Sequence, residues 1–284
     1  MKRLYIKRTR EILFGSTRTD PDLVERMEMC GTPVKWGWAF CRIAGCQRCR
    51  NHRRKVWIME AIRLFEAAEH RNLRLVTIML DPQSSMLDVV AGIKRGKVAW
   101  RNILFRLRQT DNRARGVRII GSAEVDWYEP YHVDRLSNYK RTQLESLGFD
   151  RSAHDVWFPH FHLIVDLAGL PESKLADALN RKWPGHRQTH IKKLDVLHTV
   201  EMNVARILAY ATKHKHFYKI DPFHDGAAFA RWSDAATVQY YNALFKIGGF
   251  SLLRFHLKPA TEKSTEVNTL GQPLLFREPM PILF

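Results

Sequence analysis

The feature that most constrains the fold is an apolar run that contains two histidines, His160 and His162, separated by one residue. Side chains alternate between the two sides of a β-strand, so both imidazoles would lie on one face. Phe161, Leu163 and Val165 would then point together into a core on the other face. Paired imidazoles fill core space poorly but bind metal ions well. The run therefore predicts a strand that carries a metal site on one face.

An earlier segment supplies a third ligand for this metal. Residues 116–128 have the character of a second strand, on which Glu124 and Asp126 share one face. If the two strands pair, Glu124 lies beside His160 and His162. Two nitrogens and one oxygen, with open positions, suit Mn²⁺ or Mg²⁺ better than a closed zinc site. The alternative is that Glu124 is an exposed strand carboxylate in an ion pair, and we expect the metal ligand.

A helix predicted over residues 199–215 carries a tyrosine beside its apolar stripe. A polar stripe runs alongside at spacings of three and four residues, and its members are Asn203, Arg206, Tyr210 and Lys213. Cations on either side of Tyr210 would neutralise charge that develops on a phosphate attacked by its phenol oxygen. The alternative is ordinary packing of the ring, with its hydroxyl at the edge of the core. The stripe predicts Tyr210 as the nucleophile, with Lys213 steadying the phosphate.

The charge of the chain points to a polyanionic partner. Lys and Arg number 46 against 29 Asp and Glu, which gives a net charge of +17 and a pI near 10.0. Such an excess favours nucleic acid over a membrane surface, since no basic amphipathic anchor stands out. The chain has no apolar run of membrane-spanning length and its start lacks the apolar segment of a signal peptide. We therefore expect a cytoplasmic protein without a membrane partner.

All four cysteines, Cys30, Cys41, Cys46 and Cys49, lie in the first fifth of the chain. A reducing compartment disfavours disulfides, and the two-residue spacing between Cys46 and Cys49 suits a tetrahedral zinc site. His52 is an alternative ligand, and free cysteines are the alternative to zinc. The segment is also basic, with 14 Lys and Arg against five Asp and Glu in residues 1–55. These cations predict contacts to DNA phosphates, and the residues concerned are Arg42, Arg48, Arg50, Arg53, Arg54 and Lys55.

The remaining pattern predicts an α+β fold with a central, mainly antiparallel sheet flanked by helices. Three regions are expected: a basic, Cys-rich module over residues 1–55, the main domain over 56–218, and a helical extension with a tail over 219–284. The role of that extension stays open between origin binding, oligomerisation and packing. Predicted strands cover 73–80, 116–128 and 187–195, and predicted helices cover 56–71, 85–109, 171–183, 199–215 and 227–247; residues 129–154 are expected to form a loop or a short exposed helix.

Four segments of the chain resemble motifs of one protein family. They are the Cys41, Cys46 and Cys49 knuckle followed by Arg53, then Leu75-Val76-Thr77-Ile78, His160-Phe161-His162 and Tyr210-Ala211-Thr212-Lys213. In their order and separation the last three resemble the HUH endonucleases, in particular the rolling-circle replication initiators of plasmids and phages. The knuckle resembles the N-terminal segment of one plasmid Rep family. The resemblance covers about residues 30–215.

The resemblance implies the HUH nuclease fold and a site-specific DNA nicking and joining activity on single-stranded or hairpin origin DNA. It implies a divalent metal held by His160, His162 and Glu124, and a 5′-phosphotyrosine formed by Tyr210. It implies a bacterial or archaeal host cell, whose helicase and polymerase are the implied protein partners. The alternatives are a transposase with the same chemistry and a non-catalytic origin-binding protein.

One position departs from the family pattern. Some single-tyrosine initiators carry a glutamate one turn before the nucleophile, where this chain has Arg206. Arg206 is therefore predicted to contact DNA, and termination of the reaction stays without an assigned residue. Tyr218 is a weaker candidate for a second nucleophile.

Overall fold

The computed structural model of the protein describes residues 2–35, 37–134, 136–149, 155–213, 217–219, 229–247 and 249–260. The helices are α1 (Lys2–Gly15), α2 (Pro21–Glu28), α3 (Gln47–Leu64), α4 (Met86–Thr110), α5 (Pro130–Val133), α6 (Asn138–Ser146), α7 (Glu172–Lys182), α8 (Val200–Ala211), α9 (Asp234–Lys246) and α10 (Phe250–Leu253). The strands are β1 (Pro33–Val34), β2 (Gly37–Trp38), β3 (Leu73–Met79), β4 (Arg118–Tyr128), β5 (Val156–Asp166), β6 (Thr189–Lys193), β7 (Phe217–Lys219), β8 (Phe229–Arg231) and β9 (Arg254–Leu257).

Five strands form one antiparallel sheet in the order β6-β3-β5-β4-β9. The histidine strand β5 is central, with β3 on one side and β4 on the other. Its register places Glu124 directly opposite His160, and Thr77 and Ser122 opposite His162. Residues opposite one another in a ladder share a face of the sheet, so this register collects these side chains on one side.

The opposite face of the sheet carries the larger core. Helix α4 packs against β5, and α7 packs against α4 and β6. Phe161 of β5 is fully buried there and its ring contacts that of Phe255 in β9. Gly96 of α4 permits this approach, because a Cβ at that position would lie 2.6 Å from Phe161 Cε2. The core thus holds α4 against the reverse side of the histidine strand.

Helices α3 and α8 pack against each other and cover part of the histidine face. The buried residues of this second cluster are Trp57, Ala61, Phe65, Leu73, Ile120, Ile164, Leu194, Val204 and Leu208. Ile164 lies two residues along β5 from His162, on the same face. The apolar layer therefore ends where the histidines begin, and α8 extends its last turn over that boundary.

The α+β prediction with an antiparallel sheet and flanking helices is confirmed, and so are the main strands and α4. Ser85 precedes α4 as expected, and its Oγ accepts a hydrogen bond from the Asp88 N–H at 3.2 Å. Helix α3, however, begins at Gln47 and so crosses the expected boundary between residues 55 and 56. The first turns of α3 are polar and give no apolar periodicity, so the sequence pattern did not reveal them.

Three other segments differ from expectation. Residues 129–149 contain α5 and α6, and Leu144 and Phe149 are buried rather than exposed. Helix α8 ends at Ala211, before the expected residue 215, and the Thr212 hydroxyl donates to the Leu208 carbonyl at 2.6 Å beside the last turn. The extension from 219 is partly structural, since β9 joins the sheet beside β4. The side chain of Tyr218 and residues 261–284 lie outside the described part of the chain.

Candidate metal centre

The central strands bring the three predicted ligands together. Glu124 Oε2 lies 3.6 Å from His160 Nε2 and 3.5 Å from His162 Nε2. Glu124 and His160 are buried, and the side chain of His162 is 15% exposed. One donor atom from each residue falls within 4.8 Å of the others. The alternative, an exposed carboxylate at Glu124, is thereby excluded, and the three residues lie where they could bind a metal ion.

Contacts behind the imidazoles fix which ring nitrogen faces Glu124. His160 Nδ1 lies 3.3 Å from the Phe158 carbonyl oxygen, which can only accept, so Nδ1 carries the proton. His162 Nδ1 lies 3.1 Å from Thr77 Oγ1. A ligating histidine ordinarily uses its second nitrogen in such a contact, which holds the ring and leaves the other lone pair for the metal. Both Nε2 atoms are oriented in this way before any ion binds.

The electrostatics of the group favour a carboxylate. Burial alone would raise the pKa of Glu124, but the neighbouring His160 and His162 imidazoles outweigh it and hold the pKa well below its usual range. Burial pulls the pKa of His160 down, yet the adjacent Glu124 carboxylate raises it overall. Burial dominates at His162 and lowers its pKa. Glu124 thus carries a buried negative charge, which a divalent cation held by neutral imidazoles would compensate.

The donor set fits such an ion. Ligand atoms about 2.1 Å from one ion lie about 3.0 to 3.4 Å apart for angles between 90° and the tetrahedral value. The two nitrogen–oxygen separations of 3.5 and 3.6 Å are close to this range, so small side-chain rotations suffice. Three ligands leave positions for water or substrate, as in catalytic metal sites.

Asp126 lies two residues from Glu124 on the same face but serves another contact. Its Oδ2 accepts a hydrogen bond from the Tyr128 hydroxyl at 2.8 Å and lies 3.3 Å from Lys140 Nζ. Burial would raise the pKa of Asp126, but the Lys140 charge outweighs it and the pKa is lowered. Asp126 therefore adds negative charge near the centre while Lys140 balances it.

Tyr210 lies at the open side of the metal centre. Its ring packs edge-on against the imidazole of His162, with the ring centroids 5.6 Å apart. The side chain is 44% exposed, so a solvent-borne group can approach the phenol. Lys213 Nζ lies 4.5 Å from the centroid of the Tyr210 ring, although Lys213 follows the end of α8. The structure thus brings Tyr210, with Lys213 over its ring, to the candidate metal ligands.

Other members of the predicted polar stripe serve different roles. Asn203 is buried, and its amide donates to the carbonyl oxygens of Asp195 at 2.8 Å and His198 at 3.2 Å. It therefore holds the chain that leads into α8. Arg206 is exposed one turn before Tyr210.

The four cysteines form a second candidate metal site. Cys49 Sγ lies 3.5 Å from Cys41 Sγ and 3.6 Å from Cys30 Sγ, and Cys46 Sγ lies 3.5 Å from Cys30 Sγ. Four sulfurs bound to one zinc ion lie about 3.8 Å apart, whereas a disulfide bond is about 2.05 Å long. The observed separations therefore fit a tetrahedral zinc site and no disulfide.

Local backbone structure explains why these cysteines meet. The β1–β2 hairpin folds back so that the Gly31 N–H donates to the Ala39 carbonyl at 2.9 Å, which closes the long gap between Cys30 and Cys41. The Arg42 N–H donates to Cys49 Sγ at 3.3 Å, and Cys46 and Cys49 lie at the start of α3. Backbone N–H groups and a helix N-terminus both favour thiolates.

Protonation in the cysteine cluster is uneven. Hydrogen bonds from Cys41 and Cys49 lower the pKa of Cys46. Hydrogen bonds with Cys46 and Cys49 raise the pKa of Cys41. Adjacent thiolates repel, and a bound cation would remove this conflict. His52, the alternative ligand, lies outside the cluster, and its ring packs 5.1 Å from that of Phe40.

The predicted phosphate-binding arginines divide into exposed and structural ones. Arg48 and Arg53 are exposed, and the Arg48 guanidinium lies over the rings of Trp38 and Phe40, 5.3 Å from each centroid. Arg54 is half-buried and donates to the Ala209 carbonyl at 2.7 Å, which ties α3 to α8. Arg50 departs most from the expectation of an exposed cation. It is buried and bonded to Gln47, because α3 starts earlier than expected and turns it inward.

Sequence reasoning placed Thr77 in a strand motif but gave it no role. The sequence did offer a signal: Thr77 lies two residues after Leu75 and so shares its face of the strand. There a hydroxyl takes the place of an aliphatic side chain, opposite a histidine.

Among the helices of the described residues, none has the length and apolarity needed to cross a bilayer. No protein-family model, curated protein or solved structure matches the chain.

Proposed function

We propose that the protein is a metal-dependent, tyrosine-based DNA endonuclease and strand transferase of the HUH kind, which initiates rolling-circle replication. One observation carries the proposal: Tyr210 packs edge-on against His162, a member of the Glu124, His160 and His162 group. An exposed phenol beside a candidate metal centre supports a role for Tyr210 as the nucleophile. The net charge of +17 supports DNA as the substrate.

The proposed reaction is a phosphoryl transfer from DNA to Tyr210. The Tyr210 oxygen attacks the phosphorus of a phosphodiester, an O–P bond forms, and the bond from phosphorus to the 3′ oxygen breaks. The phenol proton leaves to solvent, which reaches the half-exposed ring, and the 3′ oxygen takes a proton from water. The products are a 5′-phosphotyrosine and a free 3′-hydroxyl that can prime synthesis. The reverse attack by a 3′-hydroxyl rejoins strands.

Several residues position this chemistry. Glu124, His160 and His162 would hold a Mn²⁺ or Mg²⁺ ion, which when bound supplies Lewis-acid polarisation of the phosphate. Thr77 holds the His162 ring through Nδ1. Lys213, beside the Tyr210 ring, offers positive charge to the pentacoordinate phosphate, where preorganised charge lowers the barrier most.

Two other functions make different predictions. A transposase would show the same covalent step and differ only in the DNA that it selects. A non-catalytic origin-binding protein would bind DNA without an adduct, and it has no use for a buried Glu-His-His group beside a tyrosine. Burying the Glu124 carboxylate without a compensating cation would cost stability, which favours a bound metal ion. A metal ion beside an exposed tyrosine in turn favours catalysis.

The test is covalent capture of DNA by the whole protein. A labelled pool of randomised single-stranded oligonucleotides is incubated with Mn²⁺, and the protein is recovered in denaturant. We expect labelled protein in the wild type and none with EDTA or in the Tyr210→Phe variant. Sequencing the captured DNA then gives the recognised site and the type of genetic element.

Tyr139→Phe is the matched control, since Tyr139 is also an exposed tyrosine but lies on α6. It should retain full capture. Binding without capture by the wild type would refute the nicking proposal and favour an origin-binding role.

A further inference from the structure

A cavity lined by arginines adjoins the metal centre. It has a volume of about 220 Å³ and receives the side chains of Arg42, Arg50, Arg53, Arg54 and Arg254. This volume is several times the roughly 30 Å³ that one water molecule occupies in the liquid. The described lining residues include no carboxylate. A concave, positively charged site of this size suits an anion larger than water.

Two hydrogen-bond donors in the wall lack a described partner. Arg50 Nη1 and Trp57 Nε1 are buried and make no hydrogen bond of ordinary geometry among the described residues, although the Arg50 guanidinium also lies near the Tyr241 hydroxyl. Arg50 is 8% exposed and Trp57 is 7% exposed, so solvent hardly compensates them. Buried donors are normally satisfied, and each orphan is costly. An anion with several acceptor oxygens in the cavity would meet both needs.

Repulsion among the guanidinium groups supports the same conclusion. Burial lowers the pKa of Arg54, and the nearby charge of Arg50 lowers it further. Arg254 has partial compensation from Glu60, with which it forms an ion pair, and its guanidinium lies over the Trp57 ring. A bound anion would relieve the remaining repulsion, and planar guanidinium forks match phosphate oxygens well.

The position of the cavity relates it to the nucleophile. Ser122 lines the cavity and lies opposite His162 in the β4–β5 ladder. Thr212 also lines it and lies two residues after Tyr210. Arg42 and Arg50 reach it from beside Cys41 and Cys49. The cavity therefore connects the cysteine cluster with the metal centre.

We propose that this cavity binds one internal phosphodiester of the single-stranded DNA whose scissile phosphate lies at Tyr210. The inference rests on the proposed function and adds the path of the strand: from the metal centre towards the cysteine cluster. The cysteine cluster then supports the arginine-lined phosphate site. Arg42 directly follows Cys41 and Arg50 directly follows Cys49, so the cluster fixes the positions of both arginines.

The test measures binding of labelled oligothymidylate by fluorescence anisotropy across a range of salt concentrations. Mn²⁺, Mg²⁺ and chelators are all omitted, so that zinc in the cysteine cluster is retained. Arg53→Gln removes an exposed cationic wall residue. The slope of log affinity against log salt should fall by about 0.7, the value for one lost phosphate contact on a single strand. Arg53→Lys keeps the charge and should keep the slope. Arg101→Gln removes an exposed arginine from α4, on the other side of the sheet, and should change nothing.

Ser251→Phe separates the cavity from diffuse surface charge. Ser251 is an exposed wall residue, so a phenyl group there fills the cavity while every arginine remains. We expect roughly the same loss of slope as in Arg53→Gln, about 0.7. If Ser251→Phe has the wild-type slope of log affinity against log salt and its thermal unfolding is unchanged, the proposal is overturned.

A free nucleotide is the other source of a phosphate. Thymidine monophosphate and inorganic phosphate should displace the oligonucleotide only weakly, because each offers one contact where a strand offers several. Tight binding of either, lost in Ser251→Phe while strand binding is unchanged, would overturn the proposal in favour of a nucleotide site. Because anisotropy reports binding and Mn²⁺ and Mg²⁺ are omitted, a failure of nicking leaves this result intact, and the two proposals fail separately.

Discussion

Replacing Thr77 by valine should weaken metal binding although Thr77 is not a ligand. Valine keeps the shape of the side chain but substitutes a methyl group for the hydroxyl that faces His162 Nδ1 at 3.1 Å. Without that contact the His162 ring can rotate, or can move its proton to Nε2, and either change removes the lone pair from the metal. His160 keeps its own contact with the Phe158 carbonyl.

The expected size follows from the burial of the pair. A buried ring nitrogen left without a partner costs about 1 to 3 kcal/mol. Loss of such a supporting contact typically weakens metal affinity about 10- to 100-fold, which corresponds to about 1.4 to 2.7 kcal/mol. We therefore expect the Mn²⁺ dissociation constant of Thr77→Val to rise about 10- to 100-fold.

The assay titrates Mn²⁺ into the protein and follows the free ion by electron paramagnetic resonance. Mn²⁺ prefers oxygen and nitrogen ligands, so the cysteine cluster should contribute little. Thr77→Ser keeps the hydroxyl and should bind within about twofold of the wild type. Equal Mn²⁺ affinity in Thr77→Val and the wild type would refute the reasoning about the orientation of His162.

The remaining predictions concern stability and zinc. In Gly92→Ala on α4, the added Cβ meets only the far end of Arg95 at 4.0 Å, and the free energy of unfolding should rise by about 0.5 to 1 kcal/mol. In Gly96→Ala, the added Cβ lies 2.6 Å from Phe161, and the free energy of unfolding should fall by about 1 to 3 kcal/mol. Urea unfolding measures both, and equal effects would contradict the packing of α4 on β5. The purified protein should contain one zinc ion by elemental analysis, and Cys49→Ser should lose it together with several degrees of thermal stability. Retention of zinc by Cys49→Ser would contradict the four-sulfur site.

The parts of the fold with a strong local pattern were predictable. Alternation in β5 assigned the histidines to one face and Phe161 to the other, and Ser85 marked the start of α4. The register between β4 and β5 was not predictable, because the long connection between these strands allows other alignments. A two-residue slip keeps Glu124 on the same face but moves it away from His160.

Other features depend on contacts between distant segments. Strand β9 has four residues and pairs with β4, more than a hundred residues earlier, so no local pattern announces it. The burial of Arg50 follows from the early start of α3 and its bond with Gln47. A sequence pattern treats arginine as exposed, which is correct for most positions and fails for a residue that is packed beside the cysteine cluster.

The most direct test of the central claim is the chemical location of the DNA adduct. Protein incubated with Mn²⁺ and single-stranded DNA is digested with nuclease and trypsin, then analysed by mass spectrometry. Cleavage after Arg206 and after Lys213 yields a peptide of residues 207–213, with Tyr210 as its one hydroxyl-bearing aromatic residue. We predict a nucleotide phosphate on this peptide, attached to the phenol oxygen. An adduct on another residue, or cleaved DNA with no attached protein, would contradict the proposed role of Tyr210.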